Sequence, residues 1–258
     1  MNRRATSVDS RRSISEWRVA RGRRIEVTST QEMPMHPAFA AAAATKSASP
    51  AVAPRRAAMP NAPQGFTLRL AKGEELFAEG ESAEYFYKIV SGTVRTCKLL
   101  SDGRRQIDAF HLQNDIFGIE TGAEHRFSAE AVCDTVVVAY RRSNLDRLTR
   151  EHTAFGEQVL SSMLRNLQRA QDHMLLLGRK SAKEKMASFL LDLAHRLQQS
   201  DQVELPMQRT DIADHLGLTI ETVSRTLTEF ARSGLISLTA GSRSISLVDK
   251  VGLKFLDA

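Results

Sequence analysis

The sequence predicts an α+β protein whose chain forms a small β barrel or sandwich, then a long helix, then a C-terminal winged helix-turn-helix. Three patterns support this order. Short apolar runs separated by Gly-containing turns fill residues 65–140, as in barrels and sandwiches of short strands. Residues 160–177 place apolar side chains at spacings of three and four, the period of a helix. Residues 208–235 contain two shorter helical patterns on either side of a glycine, followed by two strand-like runs.

Residues 1–64 differ in composition from the rest and are predicted to form a disordered basic tail, rich in Arg, Ser, Ala and Pro. The tail contains 11 Lys or Arg against 4 Asp or Glu, a net charge of +7. Because the whole chain carries +6, the remaining residues carry about −1, so bulk charge does not indicate a nucleic-acid partner for the folded part. A transit peptide or signal sequence is an alternative for this stretch, and so is translation from Met33, Met35 or Met59.

Residues 65–150 are predicted to form the β domain. Its strand-like runs are FTLRL, EELFAEGE, YFYKIVSGTVRTCKLL, RRQIDAFHL and AEAVCDTVVVAY. The dipeptide Asp102-Gly103 is typical of a tight hairpin turn. Cys97 and Cys133 both fall in strand-like runs, where a buried and inert thiol is the expected state and a redox role is the alternative.

Residues 151–179 are predicted to form the long helix, whose regular pattern extends from about Glu151 to Leu177. The repeat matches the a/d seam of a coiled coil, so we expect the helix to pair with a second copy of the chain. The expected interface residues are Leu160, Met163, Leu167, Ala170, Met174 and Leu177. A helix packed only on its own β domain would show a similar pattern over this length, and that alternative stays open.

Residues 180–258 are predicted to form the winged helix-turn-helix domain. Its first helix covers Ser181 to Leu197 and turns one apolar face inward. The residues of that face are Met186, Phe189, Leu190, Leu193 and Leu197. Three lysines at its start are expected to remain outside the core, either near phosphates or simply solvated. They are Lys180, Lys183 and Lys185.

The helix-turn-helix itself is predicted at Gln208 to Leu235. Its first helix ends at Leu216, and Gly217 takes the turn because a residue without a Cβ turns tightly at little cost. Thr219 is expected to cap the second helix. The inward residues of the two helices are Ile212, Ala213, Leu216, Val223, Leu227 and Phe230, at spacings of three and four. The following segment, GLISLTAGSRSISLVD, contains two short runs around a Gly-Ser turn and predicts the wing.

The outer face of the second helix carries side chains suited to reading base pairs in double-stranded DNA. Arg225 can donate two hydrogen bonds to guanine, Glu221 can accept one from cytosine N4, and Ser224 can contact a neighbouring base. The alternative is that Glu221 and Arg225 form only a solvated ion pair, since they stand four residues apart. Further residues are expected to support the helix or contact the DNA backbone: Thr210, Thr219, Thr222 and Arg243.

The segments LPMQRTDIADHLGLTI and ETVSR, with the wing after them, resemble the CRP/FNR superfamily, and within it the FixK/FNR branch. The resemblance covers about residue 65 to the C-terminus and implies that the β domain is a cyclic-nucleotide-binding-like jelly roll. It also implies that Glu221, Ser224 and Arg225 read a TTGAT half-site, repeated inverted across four base pairs, in a homodimer. Ile220 stands where the catabolite-activator branch has an arginine, so TGTGA half-sites are not expected.

The resemblance also raises the question of a ligand, and we expect no cofactor. Nucleotide-binding relatives use a Glu and an adjacent Arg-Ser pair, whereas here Glu120 is followed by Arg126 and Ser128 with Phe127 between them. An apolar residue in that position disrupts a clamp on one phosphate. An iron-sulfur cluster of the family's kind needs four thiolates, and the chain has two cysteines. None of its seven histidines lies in an obvious haem-ligation motif.

Taken with the resemblance, the sequence predicts a cytoplasmic, homodimeric transcriptional regulator that binds DNA and contacts RNA polymerase where it activates. No nucleophile elbow, P-loop or zincin motif indicates an enzyme, and no apolar run approaches the roughly 18 residues of a membrane span. By resemblance, its targets are genes for low-oxygen respiration or nitrogen fixation. The alternative is a cyclic-nucleotide-responsive regulator whose DNA binding depends on a ligand in the barrel.

Overall fold

A computed structural model describes residues 28–29, 65–199, 201–239 and 243–257. The predicted tail therefore lies outside the described residues, apart from Thr28–Ser29, which forms a two-residue strand, β1, paired antiparallel with the first barrel strand. The alternative start sites and targeting signals proposed for the tail also lie outside them. Within the described part of the chain, none of the helices is long and apolar enough to cross a membrane.

The β domain is a jelly roll of two antiparallel sheets, as the sequence predicts. One sheet has the strand order β1-β2-β9-β4-β7 and the other the order β3-β8-β5-β6. The strands are β2 (Phe66–Leu70), β3 (Glu75–Phe77), β4 (Tyr85–Ser91), β5 (Val94–Leu99), β6 (Arg105–His111), β7 (Ile116–Phe117), β8 (Ser128–Ala131) and β9 (Thr135–Arg141). The predicted hairpin turn at Asp102-Gly103 joins β5 to β6.

The inner faces of the two sheets bury an apolar core. Leu68, Ile89 and Val137 are fully buried there, and every second residue of their strands points inward, as the period of a strand requires. Between β4 and β5 the chain turns at Gly92 with a φ of +88°. A Cβ at this position would lie 2.6 Å from the carbonyl oxygen of Asp134, so the close approach of two turns requires glycine.

One histidine is part of the barrel core. His111 at the end of β6 is 7% exposed, its Nε2 lies 3.2 Å from the hydroxyl of Thr96, and its ring stacks on Phe117. Burial lowers the pKa of His111 to about 4, although the nearby carboxylate of Asp115 acts in the opposite direction. His111 is therefore a neutral, packed side chain at pH 7.

The long helix is divided in two. Helix α1 (Leu145–Glu151) ends at His152, which has non-helical angles, and helix α2 (Thr153–Arg179) then continues for 27 residues. The helix predicted from about Glu151 thus begins at Thr153, after the break at His152. Phe155 and Val159 pack α2 on the barrel, and the buried Ser162 hydroxyl accepts a hydrogen bond from the backbone N–H of Ile116 over 3.1 Å.

The C-terminal domain has the winged helix-turn-helix order that the sequence predicts. Its elements are α3 (Ala182–Arg196), β10 (Gln202–Glu204), α4 (Arg209–Leu216), α5 (Ile220–Arg232), β11 (Ile236–Leu238), β12 (Ser244–Leu247) and α6 (Lys250–Asp257). Strand β12 pairs with both β10 and β11. The core of this domain continues into the barrel, because Cys97, Ile107 and Phe110 belong to the same buried apolar cluster as α3 and α4.

The lysines at the start of α3 differ from the prediction. Lys185 is only 8% exposed, and its ammonium group donates to the carbonyl oxygen of Leu216 over 3.1 Å. It thus stabilises the C-terminal end of α4, where unpaired carbonyls and the helix dipole favour a cation. Lys180 is half-buried and pairs with Asp257 over 2.7 Å, whereas Lys183 is exposed and pairs with Glu229. The expectation that all three lysines remain outside is therefore wrong for Lys185.

We predict that His111 makes the stability of the protein depend on pH. Unfolding returns a histidine pKa to near 6.5, so between pH 6.5 and 4 the unfolded chain binds more protons than the folded one, and the free energy of unfolding falls as the pH is lowered. His111→Gln should reduce that slope by up to roughly 1.4 kcal/mol per pH unit. Urea denaturation at pH 7, 6 and 5 measures it.

His195→Gln is the matched control, since His195 is exposed on α3 and its replacement should leave the slope unchanged. A wild-type slope in His111→Gln would show that the pH dependence arises elsewhere.

Candidate nucleic-acid interface

The turn between α4 and α5 has the geometry that the sequence predicts. Gly217 has a φ of +62° and a ψ of 41°, a left-handed conformation that ends α4. The backbone N–H of Leu218 then donates to the carbonyl of Ala213 over 3.0 Å. Ala213 is 3% exposed and Val223 is fully buried between the helices, so α4 and α5 cross closely and form one rigid unit.

Helix α5 begins with a side-chain cap. The hydroxyl of Thr219 accepts a hydrogen bond from the backbone N–H of Thr222 over 3.2 Å, and the two threonine hydroxyls are 3.2 Å apart. The predicted cap at Thr219 is confirmed. Thr222 is half-buried and its hydroxyl is engaged in this cap, which places it in support of the helix start.

The two faces of α5 differ in the way that the pattern predicts. Its inward residues are buried and pack on α3 and α4: Val223, Thr226, Leu227 and Phe230. On the outer face Glu221 and Arg225 are exposed one helical turn apart, and Ser224 lies beside them half-buried. The structure thus brings the three predicted base-reading residues together on one surface at the N-terminal half of α5.

Glu221 and Arg225 do not pair with each other. Within the described residues, no ion pair of 4 Å or less joins the two side chains, so the alternative of a simple solvated pair is not realised. Hydrogen bonds from the residue's own backbone N–H and from the Thr219 hydroxyl hold the pKa of Glu221 below its usual range. Glu221 is therefore an ionised acceptor at neutral pH, as a contact to cytosine N4 requires.

A further arginine, which the sequence analysis did not single out, contributes to this surface. Arg209, the first residue of α4, donates from Nη1 to the hydroxyl of Ser224 over 3.3 Å. The side chain is exposed and adds a second guanidinium group beside Arg225. Its neighbour Thr210 is also exposed. A basic residue at the first position of a helix carries no periodic signal, and only the crossing of α4 and α5 shows its proximity to Ser224.

The wing is described on both sides of its tip. Residues 240–242, the predicted Gly-Ser turn, lie outside the described residues. Arg243 directly after them is exposed, and its carbonyl accepts a hydrogen bond from the backbone N–H of Leu205 over 3.0 Å. The backbone of Arg243 is thus held by the domain core while its side chain faces solvent.

The predicted dimer seam is exposed along most of α2. Leu160, Met163, Leu167 and Met174 are 60%, 47%, 57% and 71% exposed, and Ala170 is exposed between them. Leu164 and Leu175 extend the same apolar surface. Leu177 differs, because it is half-buried and packs against the core of its own C-terminal domain. The helix therefore has one face on the barrel and another that none of the described residues covers.

The barrel does not assemble the nucleotide clamp of the resembling family from Arg126 and Ser128. The hydroxyl of Ser128 accepts a hydrogen bond from the backbone N–H of Glu79 over 2.9 Å. The Arg126 side chain is exposed, and its backbone N–H donates to Glu120 over 3.3 Å. A cavity of about 760 Å³ nevertheless lies between the barrel, α2 and the C-terminal domain.

Among the described residues, neither the two cysteines nor the other potential metal ligands indicate a redox or metal centre. Cys97 is 4% exposed, and burial raises the pKa of its thiol, which keeps it protonated and unreactive. Cys133 is half-buried. Across residues 65–199, 201–239 and 243–257, no cluster of three or more His, Cys, Asp or Glu side chains could hold a metal ion.

Two family models match the chain. The Crp-like helix-turn-helix domain matches residues 184–256, and the cyclic nucleotide-binding domain matches residues 67–152. The chain is 49% identical over 193 residues to the nitrogen fixation regulation protein FixK of Azorhizobium caulinodans. The alignment covers 73% of this chain and 77% of that protein. It is 35% identical to the fumarate and nitrate reduction regulatory protein of Vibrio cholerae, over 66% of this chain and 70% of that protein.

Solved structures agree with these matches. FixK2 from Bradyrhizobium japonicum superposes with a TM-score of 0.70 at 45% identity and covers 75% of this chain and 98% of that one. A CRP-family regulator from Thermus thermophilus superposes with a TM-score of 0.61 at 30% identity, over 73% and 95% of the two chains. With a Crp-like helix-turn-helix, a cyclic nucleotide-binding fold and FixK relatives at this identity, the chain belongs to the CRP/FNR family of transcriptional regulators, in its FixK/FNR branch, and is not an enzyme.

Proposed function

We propose that the protein is a cytoplasmic homodimer that binds a TTGAT-N4-ATCAA-like inverted repeat and regulates genes for nitrogen fixation or low-oxygen respiration. The observation that carries this proposal is the outer face of α5. Glu221, Ser224 and Arg225 lie together there, exposed or half-buried, and Glu221 and Arg225 are not paired with each other. An ionised acceptor and a free guanidinium group one turn apart can read a cytosine and a guanine in the major groove.

The exposed seam of α2 supports the homodimer. Its large apolar side chains, from Leu160 to Leu175, are 47% to 71% exposed in the single chain. A contiguous apolar surface of this kind marks an interaction site, and a second copy of the same helix buries it symmetrically. A two-fold dimer also matches the symmetry of an inverted repeat, with recognition helices about 34 Å apart.

The names of its relatives support the biological assignment. The relatives from Azorhizobium caulinodans, Rhizobium meliloti and Bradyrhizobium diazoefficiens are nitrogen fixation regulation proteins, and a further relative is the transcriptional activatory protein AadR of Rhodopseudomonas palustris. We extend this role to the present chain and propose that it activates transcription. Activation requires contact with RNA polymerase, which is therefore the third proposed partner beside DNA and a second copy of the chain.

The first experiment measures binding of the purified full-length protein to duplexes by fluorescence anisotropy, in air, without ligand, at about 150 mM salt. We expect tight binding to TTGAT-N4-ATCAA and only salt-sensitive, nonspecific binding to a TGTGA-based duplex. Equal binding to both duplexes would contradict the proposed base reading, whereas binding to neither would mean that a missing effector or modification governs the active dimer.

Arg225→Ala tests the main base contact. We expect the variant to lose roughly 1 to 3 kcal/mol of binding free energy on the TTGAT site and to lose discrimination at its guanine, because a bidentate pair reads that base. Nonspecific binding should change little. The matched control is Arg232→Ala, which removes the same charge from the exposed C-terminal end of α5. An equal loss on every sequence would identify Arg225 as a phosphate contact.

Calorimetry with cyclic AMP and cyclic GMP tests the alternative of a nucleotide-responsive regulator, which the cavity beside the barrel keeps open. Because the Ser128 hydroxyl is bonded to Glu79 and Arg126 faces solvent, we expect no binding tighter than about 10 µM, near −7 kcal/mol. Tighter binding together with ligand-dependent DNA affinity would establish the alternative.

A further inference from the structure

Two arginines of the barrel reach the first helix of the helix-turn-helix. Arg95 on β5 donates from Nη1 to Oδ1 of Asp211 over 2.8 Å, and Arg105 on β6 donates from Nη2 to the same oxygen over 2.7 Å. The Asp211 carboxylate is buried, with 3% of the residue exposed. Its other oxygen accepts from the backbone N–H of Gln208 over 3.1 Å, at the start of α4. One carboxylate therefore joins two barrel strands to the N-terminus of α4.

Two more carboxylates extend this contact. Arg105 also donates from Nε to Asp214 over 2.9 Å, almost one turn further along α4. Glu130 on β8 accepts from Nε of Arg95 over 3.0 Å and holds that side chain from the barrel side. We call these five residues the interdomain ion cluster. Because its arginines are only 15% and 27% exposed, solvent weakens these pairs less than it weakens surface pairs.

His215 anchors the same face of α4 at a third point. Its Nδ1 lies 3.1 Å from the carbonyl oxygen of Ile107, and its own carbonyl accepts from Nε2 of Gln106 over 3.3 Å. Its ring stacks on His173 of α2, with centroids 4.2 Å apart and planes 11° from parallel. Helix α4 is thus fixed to the barrel and to the proposed dimer helix at once.

Helix α5, the proposed recognition helix, crosses α4 closely at Ala213 and Val223, and the two helices form one unit. The contacts that fix α4 therefore also fix α5. In the anchored arrangement the outer face of α5 is uncovered, with Glu221 and Arg225 exposed. The contact therefore leaves the base-reading face free and fixes its direction relative to α2. This geometry is compatible with DNA binding, because Glu221 and Arg225 stay exposed while α4 is anchored.

We propose that Arg95 and Arg105 are positioning residues for DNA recognition, which hold the helix-turn-helix through Asp211 and Asp214 in the one orientation that lets two copies read half-sites at a fixed spacing. The inference rests on the proposed function. Reading one half-site needs only one α5. Reading both needs two α5 helices at a set separation, and each base pair added to the spacer moves a half-site by about 3.4 Å and rotates it around the duplex.

The test uses the full-length protein, the variant Arg105→Ala and duplexes with spacers of three, four and five base pairs, together with a single half-site at reduced salt. We expect Arg105→Ala to weaken binding to the four-base-pair spacer by about 3- to 30-fold, the range of energetic coupling between distant sites. The preference for that spacer over the other two should shrink, and half-site affinity should remain within about twofold of wild type.

Arg104→Ala is the matched control. Arg104 lies next to Arg105 on the same hairpin, is 77% exposed and pairs with Asp102 within the barrel, so its removal costs the same charge but no interdomain contact. Its spacer preference should equal that of the wild type. Asp214→Ala should show part of the loss seen in Arg105→Ala, because the Arg105 contact to Asp211 remains. The double variant should be no weaker than Arg105→Ala, because Asp214 acts through Arg105.

The outcomes separate the inference from the function on which it rests. Failure of the wild type to prefer TTGAT-N4-ATCAA would overturn the proposed function. A wild type that binds it, with an Arg105→Ala variant of unchanged spacer preference or equal loss on the half-site, would overturn the positioning role alone. Tighter binding by Arg105→Ala would show that the cluster restrains DNA binding and would overturn it too.

Discussion

One buried carboxylate joins the helix-turn-helix to two strands of the barrel. Asp211 lies at the start of α4 and accepts hydrogen bonds from the helix backbone and from two barrel arginines. Burying an ion pair recovers little net stability, since desolvation opposes the Coulomb attraction, but an unpaired partner would be strongly unfavourable. The hydrogen bonds that Asp211 accepts can all form in only a few relative orientations of the two domains. It therefore specifies a geometry more than it stabilises the fold.

Helix α2 packs on the barrel through one face and exposes apolar side chains on another. Phe155, Val159 and the buried Ser162 attach it to the barrel, while the side chains from Leu160 to Leu175 stay exposed on another face. Near its C-terminal end, Leu177 and His173 turn towards the C-terminal domain. The barrel and the helix-turn-helix domain both contact α2, and the proposed partner copy would pack on it as well. In the proposed dimer, a change in how α2 packs on the barrel would alter the separation of the two α5 helices.

The sequence predicted those features that depend on neighbours along the chain. The turn at Gly217, the cap at Thr219 and the two faces of α5 arise from spacings of three and four residues and from backbone conformation, which a local pattern contains. The interdomain ion cluster joins residues more than one hundred positions apart, as with Arg105 and Asp214, and leaves no periodic trace. Lys185 was expected outside for the same reason, because its partner, the carbonyl of Leu216, is 31 positions away.

These contacts give the barrel a role that does not require a ligand. The Ser128 hydroxyl accepts a hydrogen bond from the backbone N–H of Glu79, and the Arg126 side chain faces solvent. The neighbouring strands of the same sheet, β5 and β6, carry the arginines that anchor α4. Under the proposed function the jelly roll is then a mechanical support for DNA reading. In that proposal the barrel holds two recognition helices at a fixed distance, with or without a small molecule inside.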